Sequence, residues 1–330
     1  MKKINPTFKK LINLLNDLEF HSGSTLGEEL KISRSAVWKY VQKITNAKIS
    51  IITDKTKGYR LTHPLCLLDE FEIREKLKEL ANNPRVDQQL NFHLFSEVDS
   101  TNRYLKNLQS STAIDVCLSE QQTLGRGRFS RAWYSPFGQN VYCSIRWRFD
   151  CSLSDLAGLG LIVSLATVRA LLSYEPKLQS QIAIKWPNDI YVAGKKLSGS
   201  LIEVSAENNG IAEVIVGIGL NVNMQQGDQI IEAPWCSLSQ ILPGSHNRNT
   251  LVALVLQSLL EHIQIPIETE LFHQWQAYDY LYGKNITVKN HDRMITGIAQ
   301  GIDQQGHLLL KNSDNTIKKI ASGDATLSKV

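Results

Sequence analysis

The chain has 330 residues, 42% of them hydrophobic and 21% charged, a balance that excludes disordered, collagenous and coiled-coil classes and leaves length for two or three domains. The formal net charge of +4 is uneven: residues 1–65 carry twelve Lys/Arg against five Asp/Glu, a net of +7, so the rest of the chain stands at −3. A basic small domain ahead of a mildly acidic body points to a polyanion partner for the N-terminus alone, or to no more than a solvated lysine-rich surface.

In chain order, Leu11, Leu14, Leu15 and Leu18 recur at helical spacing and predict a first amphipathic helix. Thr25 followed by Glu28 reads as a capping box opening a second helix that runs to about Leu30. Ser33 can cap a third, Arg34 to about Asn46, with Val37, Val41 and Ile44 on its apolar face. The short join at Lys31 and Ile32 has helix-turn-helix spacing. Residues 49–53 and 59–61 flank a polar turn at 54–58 and predict a hairpin, or wing. Candidate DNA contacts are Ser33, Arg34, Ser35, Trp38, Lys39 and Gln42 on the third helix, toward base edges, with Lys55, Lys57 and Arg60 on the wing, toward phosphates. A helix-turn-helix used only for packing or docking would give the same pattern.

A charged stretch from Asp69 to Leu80 reads as a linker or connecting helix, ending at Asn82-Asn83-Pro84. Strand-like segments at 92–95, 116–119, 141–147, 182–185, 190–192, 200–204 and 212–219 alternate with helices near 100–108, 153–173 and 250–263. That is a mixed sheet rather than a doubly wound parallel one. The longest apolar run, Leu156 to Val168, falls short of the about 20 residues a bilayer needs, so it reads as a buried helix and no membrane association is expected. Beyond Asn285, short strands between Asp/Asn/Gly turns predict a small β-barrel. The expected domains are 1–65, a winged helix-turn-helix; 66–91, a linker; 92–280, a catalytic body; and 281–330, the barrel. No secretory signal is visible, and the five scattered cysteines form no CxxC pair, which favours the reducing cytoplasm over a zinc or disulfide framework.

For chemistry, the chain has no Walker A motif, no third glycine after Gly217-Ile218-Gly219, and no GxSxG, HExxH or metal-spaced cluster, so no metal site is expected. Gly125-Arg126-Gly127-Arg128-Phe129-Ser130-Arg131 makes a poor helix and a poor strand. It suits a loop whose guanidinium groups close on an anion, and equally an exposed basic loop or an RGG-like nucleic-acid segment. In Lys185-Trp186-Pro187-Asn188-Asp189 a lysine ends a strand at a tight turn, placed to offset negative charge in a cleft; standing alone it is as readily a turn with an exposed lysine. Ser100-Thr101-Asn102 reads as a polar site or a helix N-cap. The glycines of Gly217-Ile218-Gly219-Leu220-Asn221-Val222-Asn223 admit a ligand or mark a bulge.

Taken in this order, from about Phe8 to Leu327, these segments resemble the bifunctional biotin–protein ligases that also serve as biotin operon repressors. The resemblance is carried by Ser100-Thr101-Asn102, Gln122, the loop at 125–128, Trp133, the motifs at 185–189 and 196–199, and Gly217 to Asn221. It implies an α+β chain: a winged helix-turn-helix, a central mixed α/β domain of the class II synthetase-like biotin/lipoate ligase type, and an SH3-like β-barrel. It implies that biotin's carboxylate attacks the α-phosphate of Mg2+·ATP to give biotinyl-5′-AMP. A lysine of the biotin carboxyl carrier protein of acetyl-CoA carboxylase then takes the biotinyl group. By resemblance, Lys185 and Arg128 are catalytic, and biotin is held by Ser100, Thr101, Asn102, Gln122, Arg126, Gly127, Arg128 and Lys185. The adenylate falls to Arg126, Arg128, Lys185, Asn221 and Trp235. The family's adenylate is also corepressor, ordering the loops so that a homodimer places two winged helices on the operator of the biotin operon. Phe129-Ser130 departs from the family pattern by losing a glycine, which is expected to stiffen the loop. The alternatives are a biotin-sensing regulator without ligase activity, disfavoured by Lys185 and Arg128, and a lipoate/octanoate–protein ligase, disfavoured by the two motifs together. A ligase whose winged helix controls no operon stays open.

Overall fold

The computed structural model describes residues 1–80, 90–109, 113–206, 210–225, 231, 233–263, 267–290 and 293–328. Helix α1 (Pro6–Leu15) starts where the Asn5 side chain accepts the Phe8 N–H, with Pro at its first position. Its Leu11, Ile12 and Leu15 are fully buried, each stabilising the fold by about 1.5–3 kcal/mol. Leu18 is not part of it: the helix has ended, and Leu18 sits in a left-handed turn. α2 (Gly23–Leu30) opens earlier than its sequence suggests, because Ser22 rather than Thr25 is the cap, its Oγ accepting the Thr25 N–H at 3.0 Å. Ser33 does cap α3 (Arg34–Asn46), accepting the Ala36 N–H at 3.2 Å. Strands β1 (Ile51–Asp54) and β2 (Gly58–Leu61) pair antiparallel as the wing. The Asp54 carboxylate closes their turn on the hydroxyl and N–H of Thr56 and the N–H of Lys57, which holds its pKa down at about 2.

The apolar core of this domain runs on into the central one through Leu65, Leu67 and Phe137, whose ring meets Phe8 edge-on with centroids 6.0 Å apart. Next comes α4 (Glu70–Leu80), which is no free connector: its Ile73 and Leu77 lie in the central core and the helix packs on α8 (Arg248–His262). The expected end of this segment at Asn82-Asn83-Pro84 lies outside the described residues.

The central domain is built on seven strands: β3 (Leu90–Phe95), β4 (Ile114–Ser119), β5 (Val141–Asp150), β6 (Ile182–Lys185), β7 (Asp189–Val192), β8 (Lys195–Ala206) and β9 (Ile211–Leu220). Their order is β3-β4-β5-β9-β8-β7-β6, and only β3 and β4 run parallel, so the sheet is mixed. Alternation along β9 sends Val214, Val216 and Leu220 into the main core and Ile215, Gly217 and Gly219 to the other face. The first face is covered by α8 and by α6 (Leu159–Tyr174), the expected apolar helix, most of whose residues are buried. On the second lies α5 (Thr101–Asn107). Short α7 (Leu238–Ile241) follows β9, and α9 (Thr269–Gln276), absent from the sequence reading, packs on α6. A fully buried pair, Glu120 and Arg248, fastens the junction with the N-terminal domain: Glu120 also accepts the Leu68 N–H at 2.6 Å, and Arg248 donates to the Cys66 carbonyl.

The C-terminal strands β10 (Asn285–Asn290), β11 (Arg293–Ile302), β12 (Leu308–Lys311), β13 (Ile317–Ile320) and β14 (Asp324–Leu327) form an antiparallel sheet in the order β13-β12-β11-β10-β14. It joins the body by main chain: the Ile184 N–H donates to Tyr278 O at 2.7 Å, and the Tyr280 N–H to Ile184 O at 2.9 Å. The Trp186 indole N–H adds a bond of 3.1 Å to Gly306 O.

Candidate functional site

A cavity of about 880 Å3 opens on the second face of the central sheet, walled by α5, the loop at 125–133, β7, β8, β9 and the near edge of β14. Every residue expected for the biotin and adenylate sites lines it: Ser100, Thr101, Asn102, Gln122, Arg126, Gly127, Arg128, Lys185, Asn221 and Trp235. Ser100 stands at the head of α5, yet its hydroxyl makes no capping bond there and the side chain is buried in the cavity wall, so the plain N-cap reading does not describe it.

One end of the cavity is a fixed polar network. The Thr101 N–H donates to Gln122 Oε1 at 2.9 Å and the Thr101 hydroxyl reaches the same oxygen at 3.1 Å. Gln122 Nε2 donates to Ser135 Oγ at 3.2 Å. Ser144 Oγ, buried on β5, lies 2.6 Å from Thr101 Oγ1 and 2.6 Å from Asn102 Oδ1, and Asn102 Nδ2 donates to Glu203 Oε2 at 2.9 Å. Each such bond contributes only about 1 kcal/mol, but breaking one leaves a buried partner unsatisfied at about 1–3 kcal/mol, so the network holds its donors and acceptors in fixed places. The glycines of β9 serve these side chains. A Cβ at Gly217 would stand 2.1 Å from Asn102 Oδ1, and one at Gly219 would stand 2.4 Å from Trp133 Cε2. The β5–β9 register is unbroken across them, so they mark no bulge, and both also line the cavity.

The arginine loop is a short hairpin, with the Trp133 N–H donating to Gly125 O at 2.9 Å and the Gly127 N–H to Arg131 O at 2.8 Å. At its tip Phe129 (φ 53°) and Ser130 (φ 57°) are both left-handed. That conformation disfavours side chains, at a cost of order 1–3 kcal/mol each.

Five cations line the cavity, and the structure divides them. Arg126 faces Glu203 at 3.8 Å, Lys196 pairs with Asp189 at 2.7 Å, and Arg131 pairs with Asp324 of β14. Arg128 and Lys185 have no carboxylate within 4.0 Å among the described residues, and burial pushes both of their pKa values down. Arg128 reaches Asn188 Oδ1 at 3.4 Å, and the Lys185 ammonium stands 5.6 Å from the centroid of the Tyr191 ring. Asn221 is not aimed at the cavity as a free amide: its Nδ2 donates to Cys236 O at 3.1 Å, which holds the segment bearing Trp235 beside β8.

Asp189 and Lys196 stood in the motifs at 185–189 and 196–199 without a role of their own, and Tyr191, Glu203, Ser144 and Asp324 were not singled out in the sequence. Lys196 reaches the cavity beside Gly199 because the β7–β8 register shifts between them, an irregularity that simple alternation along β8 does not predict. Asp324 carries no sequence signal, because β14 is a four-residue strand far along the chain from Arg131.

The second positive surface is on the N-terminal domain. Ser33, Arg34, Ser35, Trp38, Lys39 and Gln42 are exposed along the start and outer face of α3, Trp38 by 53%, and Lys55 and Lys57 are exposed on the wing. Arg60 is half-buried, its guanidinium 4.8 Å over the Phe20 ring.

Comparison with known proteins covers the same segments. Models of the biotin/lipoate A/B protein ligase family, an HTH domain and the biotin protein ligase C-terminal domain match residues 94–221, 7–60 and 281–328. The chain is 33% identical over 323 residues to the bifunctional ligase/repressor BirA of Salmonella typhimurium, covering 96% of each. It is also 33% identical to the Bacillus subtilis protein of that name, covering 97% of this chain and 98% of the other. Among solved structures, the biotin protein ligase from Aquifex aeolicus in complex with biotin and ATP is similar at a TM-score of 0.59 and 27% identity, covering 73% of this chain and 99% of that one.

Proposed function

The chain belongs to the family of bifunctional biotin–protein ligase/repressors, and from that premise we propose how its two positive surfaces divide the work. The protein is a biotin–protein ligase with ATP as co-substrate and a repressor with a helix-turn-helix domain. In the cavity, Ser100, Thr101, Asn102 and Gln122 receive biotin, whose ureido ring needs donors and acceptors in fixed positions. Biotin's carboxylate oxygen attacks the α-phosphorus of ATP, and the bond to the β-phosphate oxygen breaks, releasing pyrophosphate and leaving biotinyl-5′-AMP. The acceptor lysine's neutral amine then attacks the acyl carbon, AMP leaves, and the amine's proton passes to solvent.

The observation that carries this reading is that Arg128 and Lys185, both partly desolvated, have no carboxylate within 4.0 Å among the described residues, while the other three cavity cations do. Bringing a carboxylate to a polyphosphate sets anion against anion. Charges already stripped of water lose little more on meeting them, and act strongly in a low dielectric. Asn221 and Trp235 form the adenine end, and the biotinyl acceptor is the carrier protein of acetyl-CoA carboxylase. Mg2+ would arrive with ATP: no cluster of three or more His, Cys, Asp or Glu suited to a metal occurs among the described residues, which fits an ion held chiefly by phosphates.

For repression, Ser33, Arg34, Ser35, Trp38, Lys39 and Gln42 face operator bases, with Lys55 and Lys57 at the backbone, in a homodimer formed when biotinyl-5′-AMP orders the arginine loop. We read the units as 1–65, 92–280 (class II synthetase-like) and 281–330 (an SH3-like barrel), in a cytoplasmic protein whose five cysteines are all free. The test is transfer itself: with biotin, Mg2+·ATP and a carrier domain, streptavidin should detect product that depends on ATP and on the acceptor lysine. Tight biotin binding without transfer would overturn the ligase reading in favour of a sensor.

A further inference from the structure

We propose that Tyr191 is a positioning residue for Lys185, holding the ammonium against its ring with Tyr280 of the segment entering the C-terminal domain as its backing. The inference rests on the role given to Lys185 above. In the β6–β7 register Lys185 faces Asp189 and Ala183 faces Tyr191, so Lys185 and Tyr191 are diagonal neighbours on one face, and both line the cavity. Burial has removed much of the water around the Lys185 ammonium, and no carboxylate stands within 4.0 Å of it among the described residues. An aromatic face offers a desolvated cation the attraction that water no longer supplies, and the 5.6 Å from Nζ to the Tyr191 centroid is within its range.

The ring is itself fixed. Tyr280 stacks on it at 5.0 Å between centroids with 24° between planes, and Tyr280 carries Lys284 Nζ at 3.6 Å from its own centroid. Main-chain pairing of Tyr280 with Ile184 ties this backing to the residue just before Lys185. Burial also drives the Tyr191 phenol far up, so the ring stays neutral and its hydroxyl is no base at working pH. A cation presented by a ring can slide toward incoming negative charge without breaking a carboxylate pair first, which Lys196 must do.

The experiment is single-turnover biotinyl-adenylate formation in the full chain, with biotin affinity measured beside it. Tyr191→Phe keeps the ring face and should stay within about twofold of wild type, while Tyr191→Leu should slow adenylation by about 5- to 30-fold with biotin affinity unchanged. Adding Tyr191→Leu to Lys185→Met should slow that variant no further, because the ring acts only through the ammonium. The proposal is overturned if Tyr191→Phe falls as far as Tyr191→Leu, if Tyr191→Leu is as fast as wild type, or if its penalty persists in full beside Lys185→Met. Should Tyr191→Leu fail to fold, Tyr280→Leu, which lies outside the cavity, takes its place: adenylation slowed only where Lys185 is present supports the proposal, and wild-type speed overturns it. A Lys185→Met single variant that forms adenylate normally would strike down the lysine's role itself. A slow one with no coupling to Tyr191 strikes down this inference alone.

Discussion

The cavity and the winged helix both present lysine and arginine to phosphate-bearing partners, yet they do so in opposite physical states. On α3 and the wing the cations are in open water, so they attract DNA over about a Debye length of 8–10 Å and weaken steeply as salt is added. In the cavity Arg128 and Lys185 are half-buried, and that burial lowers the pKa of each and makes its charge costlier to keep. Solvated charge gathers a polyanion; desolvated charge lowers the barrier of a reaction. On the roles proposed above, the same residue types divide between recognition and chemistry with their degree of burial.

The sharpest way to break that contrast is Lys185→Ala. Loss of a charge poised at the reacting phosphate should cut adenylate formation by about 10²–10³-fold, read as pyrophosphate release, while operator binding by preformed adenylate complex persists. Its pH dependence has a definite sign. Because burial lowers the Lys185 pKa, the active cation is fully present below that value and is lost as pH rises through it. The alkaline limb of the rate profile should therefore lie below the ordinary lysine value of about 10.4, and Lys185→Arg should move it upward.

A smaller effect belongs to Gly217→Ala, whose new methyl would overlap Asn102 Oδ1. Overpacking of that kind costs about 1–3 kcal/mol and should appear in calorimetry as weaker biotin binding with DNA affinity untouched. On the other surface, Arg34→Ala should cost about 1–3 kcal/mol for operator only, if it touches a base edge. Lys57→Ala should weaken all sequences alike and reduce the salt slope by about one. Equal loss on operator and random DNA would remove Arg34 from base reading. The mildest change is Ser130→Gly, which relieves a left-handed serine by about 1 kcal/mol and should tighten adenylate binding several-fold; weaker binding would show that the serine side chain makes a contact of its own.

Periodicity made most of this fold legible before any coordinates. The strand at 182–185 has the expected bounds, and the face of α3 carrying Val37, Val41 and Ile44 is buried as spacing requires. A local signal failed where two caps competed, Ser22 taking the place of Thr25, while α4 lies where a linker or connecting helix was expected and packs on the core through Ile73, Leu77 and the half-buried Leu80. The cavity's lining was readable from motif residues, but not the pairing of its cations. Lys196 with Asp189 is set by the β7–β8 register, and Arg131 with Asp324 by domain docking, neither of which leaves a period in the sequence. Nor did motif chemistry foresee that Gly217 and Gly219 make room for the Asn102 and Trp133 side chains.

The docking of β14 against the arginine loop also sets an order of events during synthesis. The winged helix, with a core made mostly of its own residues, can emerge from the ribosome and fold early. The cavity cannot be finished until Asp324 and Thr326 have been translated. For that interval a nascent chain would carry a folded DNA-binding head with no adenylate site, and so no route to the ligand-ordered homodimer that repression uses.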